Sequence, residues 1–229
     1  MSYGGVTLDR EELVAFSSEF DPQPFHLDEE AARSTFAGRL IASGWQTCGL
    51  QMRMMAEGFI LEASSMGAPG IEEVSWLAPV QPGDTLRVRH EVLEARRSSR
   101  RPEMGLVRFR FETINQHGEV VLRTSNWIML GVRDAWRDDA PAGKPPPPRP
   151  APPAAIESPP APTPWFEDVV VGSTTDLGSY AFTEQNIVDF ARRYDPQPFH
   201  LDREAAARTH FGGLCASGWH TAAAWMKQL

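Results

Sequence analysis

Phe20-Asp21-Pro22-Gln23-Pro24-Phe25-His26-Leu27-Asp28-Glu29 returns almost unchanged as Tyr194-Asp195-Pro196-Gln197-Pro198-Phe199-His200-Leu201-Asp202-Arg203. Two prolines stiffen each copy by fixing φ and removing backbone donors. One carboxylate and one imidazole therefore stand five positions apart with little conformational freedom. Asp21 and Asp195 are 174 positions apart, as are His26 and His200, and this register holds without a gap from Leu13–Met55 to Ile187–Leu229. Within it Ala42-Ser43-Gly44-Trp45 recurs as Ala216-Ser217-Gly218-Trp219. The chain is an internal duplication.

Around the first copy of the motif, Asp9 followed three residues on by Glu12 is an N-cap signal, with Leu13, Val14 and Phe16 supplying an apolar face. Pro22 and Pro24 break this helix and are expected to hold the motif as a loop. A short helix follows over Asp28–Phe36, then a longer apolar helix from Trp45 to Ile60. Strand patterns come next, over Ile71–Val80, Thr85–Ala95, Leu106–Ile114 and Val120–Leu130, with Asn115-Gln116-His117-Gly118 as a hairpin turn. One long helix followed by a run of antiparallel strands is an α+β layout, the sheet packing on the helix.

Twelve of the twenty prolines fall between Pro141 and Pro164. This divides the chain into residues 1–133, a linker over 134–164 of extended polyproline character, and residues 165–229. The second copy opens with a strand-like run, Phe166–Val171, which has no counterpart in the first. Thr183 then caps a helix over Ile187–Arg193. No equivalent of the strands from Ile71 to Leu130 follows. Either the sequence is a fragment of a longer two-copy protein, or both copies share one sheet.

At 229 residues and 41% hydrophobic the chain can bury a real core, and a net charge of −8 argues against nucleic acid or an anionic membrane surface. No apolar run is long enough to span a bilayer, and a cytoplasmic location is the expectation. Cys48 and Cys215 lie in apolar stretches and are expected as buried free thiols. No zinc spacing, phosphate-binding glycine loop or redox cysteine pair is present, so neither a metal nor a bound cofactor is expected. Trp45, Trp219, Met52 and Met226 read as core, with Trp45 also suited to lining an acyl tunnel. Arg96, Arg97, Arg100 and Arg101 form either a solvated hairpin tip or a contact for phosphates.

Asp-x-x-Pro-x-His, a short helix, a Ser-Gly step opening a long apolar helix, and the turn Pro79-Val80-Gln81-Pro82-Gly83-Asp84 together resemble the MaoC-like dehydratases, also called R-specific enoyl-CoA hydratases. The resemblance implies a hot-dog fold, an antiparallel sheet wrapped around a central helix, working as a dimer or as two fused copies. It implies addition of water to a trans-2-enoyl thioester of coenzyme A or an acyl carrier, or the reverse. Asp21 and His26 would be the acid/base pair of copy one, and Asp195 and His200 that of copy two. Gly44 and Gly218 match the glycine whose amide binds the thioester carbonyl, with Ser43 beside it at the substrate. The chain departs from the family pattern at Gln23 and Gln197, where asparagine is usual. It departs again at Ser43 and Ser217, where histidine is common, and at Met52 and Met226, where some hydratases place a serine.

The residue types suit this chemistry. Attack of water on the β-carbon needs a proton removed, the α-carbon needs one supplied, and the carbonyl oxygen gathers negative charge. Asp21 is expected to activate water and His26 to act as its acid partner, such acid/base steps being worth roughly 10²–10⁴-fold. An amide at a helix start can meet the oxygen. Read without the repeat, an Asp before proline is a turn former and a single histidine a structural residue. Copy one is expected to be the working site, because no sheet completes the pocket of copy two. A hot-dog thioesterase, and a non-catalytic acyl-binding or dimerisation module, are the competing functions. A homodimer is expected, since one such sheet exposes an edge.

Overall fold

Local chemistry sets the helix boundaries. In this computed structural model, which describes residues 2–134 and 165–229, the Asp9 carboxylate accepts the Glu12 amide at 2.7 Å and α1 runs Arg10–Phe20. The expected motif loop is a helical turn: Pro24 opens α2 (Pro24–Leu27) at a position where a missing N–H costs nothing. Asp28 caps α3 (Glu29–Arg33), which is shorter than expected. Ser43 caps α4 (Gly44–Gly58), and a single 3₁₀ turn, Ile60–Glu62, follows. The proline-rich linker lies outside the described residues apart from Asp134.

Five antiparallel strands form one sheet in the order β1-β3-β4-β5-β2. These are β1 (Ser2–Thr7), β2 (Ile71–Trp76), β3 (Thr85–Arg97), β4 (Met104–Ile114) and β5 (Val120–Gly131). Leu50 and Met54 of α4 share one buried core with Leu86, Val88, Phe111 and Leu122 of the strands. This is the α+β hot-dog layout, with the sheet wrapped on a long helix. β2 stops short of the expected Val80 because the chain turns off the sheet there, and Val80 O instead accepts the Ala42 amide at 2.8 Å. β1 went unread because Gly4 and Gly5 weaken its pattern. Both have positive φ, and a Cβ on Gly4 would stand 2.4 Å from Met54 Sδ, so glycine lets this strand pass close over α4.

The second copy contributes helices only: α5 (Glu184–Tyr194), α6 (Pro198–Leu201), α7 (Arg203–Ala207) and α8 (Gly218–Met226). Its strand-like opening is no strand. Phe166–Asp168 forms a 3₁₀ turn, and Val169, Val170 and Val171 are exposed, since this run pairs with no strand among the described residues.

The copies meet through equivalent positions. Phe16 meets Tyr194 edge-to-face at 5.4 Å, Phe20 meets Phe190 at 5.8 Å, and Glu19 pairs with Arg193 at 3.3 Å. Each pair joins positions that the 174-residue register equates, or their neighbours one turn along, as expected of a self-complementary two-fold contact. Tyr194 also lies against Gly49 of α4, where a Cβ would stand 3.0 Å from its ring. His220, which replaces Gln46 in the repeat, stacks on Phe190 at 4.5 Å with an interplanar angle of 4°.

Burial, reinforced by Arg193 and His200, lowers the His220 pKa to about 4 from 6.5. The unfolded chain therefore binds a proton between these values that the folded chain refuses. Stability from this residue is full above about pH 6.5 and is lost as pH falls toward 4. Melting temperature should fall over that window in wild type and more shallowly in His220→Gln. Parallel curves would refute this role for the imidazole.

Candidate active site

The two Asp–His pairs are built alike to within a tenth of an ångström. Asp21 ends α1 and His26 lies in the α2 turn, with Asp21 Oδ2 standing 3.4 Å from His26 Nε2. Asp195 Oδ2 and His200 Nε2 are also 3.4 Å apart. All four residues are buried. The gap is longer than a usual direct hydrogen bond, and both atoms of a pair are close enough for one small group beside them to bond to both.

Serine and glutamine set each carboxylate. Ser43 Oγ donates to Asp21 Oδ2 at 2.6 Å and Gln23 Nε2 donates to Oδ1 at 2.8 Å. In copy two Ser217 Oγ donates to Asp195 Oδ2 at 2.6 Å and Gln197 Nε2 to Oδ1 at 2.9 Å. The glutamines, noticed in the sequence only as departures, thus hold the aspartates. Their spacing two residues after the aspartate on a proline-braced turn was the available signal. Ser43, expected beside a substrate, is fully buried, and its hydroxyl both donates to Asp21 and accepts the Trp45 amide at 3.3 Å. It positions the carboxylate and caps α4.

The rings are oriented from behind. His26 Nδ1 lies 2.7 Å from Ile41 O and His200 Nδ1 lies 2.7 Å from Cys215 O. A carbonyl can only accept, so Nδ1 carries a proton in both rings and Nε2 is the nitrogen presented to the aspartate.

Surroundings separate the copies. A cavity of about 480 Å³ opens on Asp195, His200, Ser217 and Gly218 and is closed on its far side by α4, β2 and β5 of copy one. Neither Asp21 nor His26 lines it. Copy two has no strand of its own among the described residues, but the expectation that no sheet completes its pocket is corrected: β2 and β5 of copy one supply the wall, as in the shared-sheet reading. At Gly44 a Cβ would meet the Trp76 indole at 2.6 Å, and Trp76 Nε1 donates to Gly44 O at 2.9 Å. At Gly218 a Cβ would meet nothing within 4 Å. Its amide, the first of α8, faces no acceptor among the described residues, as helix geometry leaves it.

Trp45, Trp219 and Met52, read as core, all line the cavity. So does Cys215, which is only partly buried, with Sγ 3.6 Å from His200 Nδ1. It differs in this from the buried thiol expected, because it precedes α8 on the cavity wall. Cys48 is buried, which pushes its thiol up to about 12. None of the four clustered arginines lines the cavity. Arg96 lies over Trp127 at 5.0 Å, Arg97 reaches Asp134 at 3.9 Å and Arg101 pairs with Glu103 at 2.7 Å, consistent with a hairpin tip.

The family model described as "MaoC like domain" matches residues 3–110 and 169–229, more than half the chain. A MaoC-like dehydratase from Rhodospirillum rubrum is 39% identical, covering 58% of this chain and 92% of its own, with a TM-score of 0.53. A MaoC domain protein from Chloroflexus aurantiacus covers 100% of this chain and 69% of its own with a TM-score of 0.75; at 19% identity it speaks for the fold alone. The mesaconyl-CoA hydratase of Cereibacter sphaeroides is 42% identical over 65 residues, which are 28% of this chain and 19% of that enzyme.

Ser217→Ala removes a hydrogen bond to a buried carboxylate, and we expect a loss of about 1.5–3 kcal/mol in denaturant titration. Ser43→Ala should cost a similar amount, because the two bonds have the same length. A loss below about 0.5 kcal/mol, within the range of ordinary surface substitutions, would mean that serine does not hold the aspartate.

Proposed function

Because the chain belongs to the MaoC-like domain family, we propose that it is a hydro-lyase that adds water to a trans-2-enoyl thioester, or removes it, at the Asp195–His200 site. One observation carries this reading: of two nearly identical Asp–His pairs, this one opens into the apolar cavity, whose lining includes Gly218, the first residue of α8.

The thioester carbonyl oxygen lies at the Gly218 amide, where the helix dipole and the unpaired N–H favour the charge that gathers as water adds. The water sits on the cavity side of Asp195 Oδ2 and His200 Nε2, within reach of both. Asp195 takes its proton as the oxygen attacks the β-carbon. His200, which starts the cycle protonated on both ring nitrogens and is anchored through Nδ1 on Cys215 O, delivers the Nε2 proton to the α-carbon. Proton return from Asp195 to His200 resets the pair. Dehydration runs the same steps backward. The acyl chain extends along Trp219 and Trp45 toward α4 and the inner face of the sheet. Asp21 and His26 keep the same internal bonds away from the cavity and serve the fold of copy one.

Loss of enoyl absorbance, followed with short and medium trans-2-enoyl-CoAs, tests the reading. Asp195→Asn and His200→Ala should each lower kcat/KM by about 10²–10⁴-fold, the usual worth of an acid/base group. Asp21→Asn should leave kcat/KM within about threefold, since a residue off the reaction path contributes no transition-state binding. Equal losses at both aspartates would place chemistry at copy one as well. Release of free thiol from saturated acyl-CoA would replace the hydratase by a thioesterase.

A further inference from the structure

The inner face of β5 presents Leu122, Thr124, Asn126 and Ile128 at alternate positions, all buried. Its two polar residues are treated differently. Thr124 Oγ1 donates to Gln51 Oε1 at 2.7 Å, and Gln51 Nε2 donates to Thr113 Oγ1 at 3.0 Å, so this step of the face is satisfied by α4 and β4. Asn126 is 4% exposed, and its only side-chain hydrogen bond among the described residues runs from Nδ2 to Trp127 O at 3.3 Å. An amide has two N–H donors and an oxygen with two lone pairs. Oδ1 and one N–H are therefore left without a protein partner among the described residues and stay open to a ligand in the cavity that Asn126 lines.

The unfilled amide lines the cavity that His200 enters, and it does so on the opposite, copy-one wall, where its neighbours are apolar: Ile71, Ile128, Met52 and Met55. A saturated hydrocarbon tail drawn into that space would cover Asn126 and keep its polar atoms unpaired. A chain with an oxygen at that depth would satisfy them. We propose that Asn126 is a specificity-determining residue, and that the cavity selects acyl thioesters whose chain carries a hydroxyl or carboxyl oxygen beyond the double bond over plain alkyl chains. The amide both donates and accepts, which suits either oxygen group. A site that hydrogen-bonds a substrate group discriminates strongly against the analogue lacking it, because its own polar atoms are then left bare. The inference rests on the acyl-thioester reading above and names the class of acyl group.

The test compares trans-2-enoyl-CoAs matched in length, one ending in methyl and the others carrying a terminal hydroxyl or carboxylate. Wild type should favour at least one oxygen-bearing member by about tenfold or more in kcat/KM. Asn126→Leu, similar in size and apolar, should abolish that preference while the melting temperature holds, since the only side-chain bond lost among the described residues is the local one to Trp127 O. The same ratio in wild type and variant, or a wild-type preference for the methyl chain, overturns the proposal. Binding of the matched saturated acyl-CoAs, followed by fluorescence of Trp45 and Trp219 in the cavity wall, separates this from the hydratase reading. A preference in binding without turnover keeps the role of Asn126 and removes the hydratase; turnover of all chains alike does the reverse.

Discussion

The aromatic seam between the copies is the contact on which the site depends. Phe16, Phe20, Phe190 and Tyr194 interlock edge-to-face, and His220 stacks into the same cluster. Full burial of one such side chain is worth about 1.5–3 kcal/mol, so the seam can hold four helices that have no strand of their own. It sets α8 against α4 and carries Asp195 and His200 over the inner face of the first copy's sheet. Without it α5–α8 would present an apolar face to water. Equivalent positions face each other across the Phe16–Tyr194, Phe20–Phe190 and Glu19–Arg193 contacts, the pattern of a self-complementary surface.

Near-identity within the two pairs does not extend to their surroundings. The same Asp, Gln, Ser and His, with the same bonds, sit off the cavity in one copy and on it in the other. Trp76 fills the space beside Gly44, while the space beside Gly218 is open. A reacting group needs its partners and also room for a ligand within reach. The two pairs share the first condition, and the cavity that Asp195 and His200 line meets the second.

Much of the fold was legible because it rests on local chemistry. Asp9, Asp28, Ser43 and Thr183 announce helix starts through side chains that accept the amides two or three residues on. Alternating Val107, Phe109 and Phe111 mark a half-buried strand. β1 was hidden because its two glycines answer to a distant contact with Met54. Phe166–Val171 misled for the complementary reason: strand propensity acts only where another strand offers a ladder. Within the site, the Asp–His spacing could be read directly. Gln23 and Gln197 could have been read from their spacing to the aspartates. Asn126, Met55 and Ile128 could not, since nothing along the chain ties them to residues near position 200.

The sequence by itself determined the duplication, the α+β hot-dog class and the Asp–His spacing that both copies share, because each is encoded within a few positions of one another or in a near-identical repeat. Tertiary structure alone decided which pair meets a cavity and what lines its far wall. Those properties arise where α4, β2 and β5 of one copy close over α8 of the other. Such a contact between distant segments is settled by side-chain packing in three dimensions, which no local pattern records.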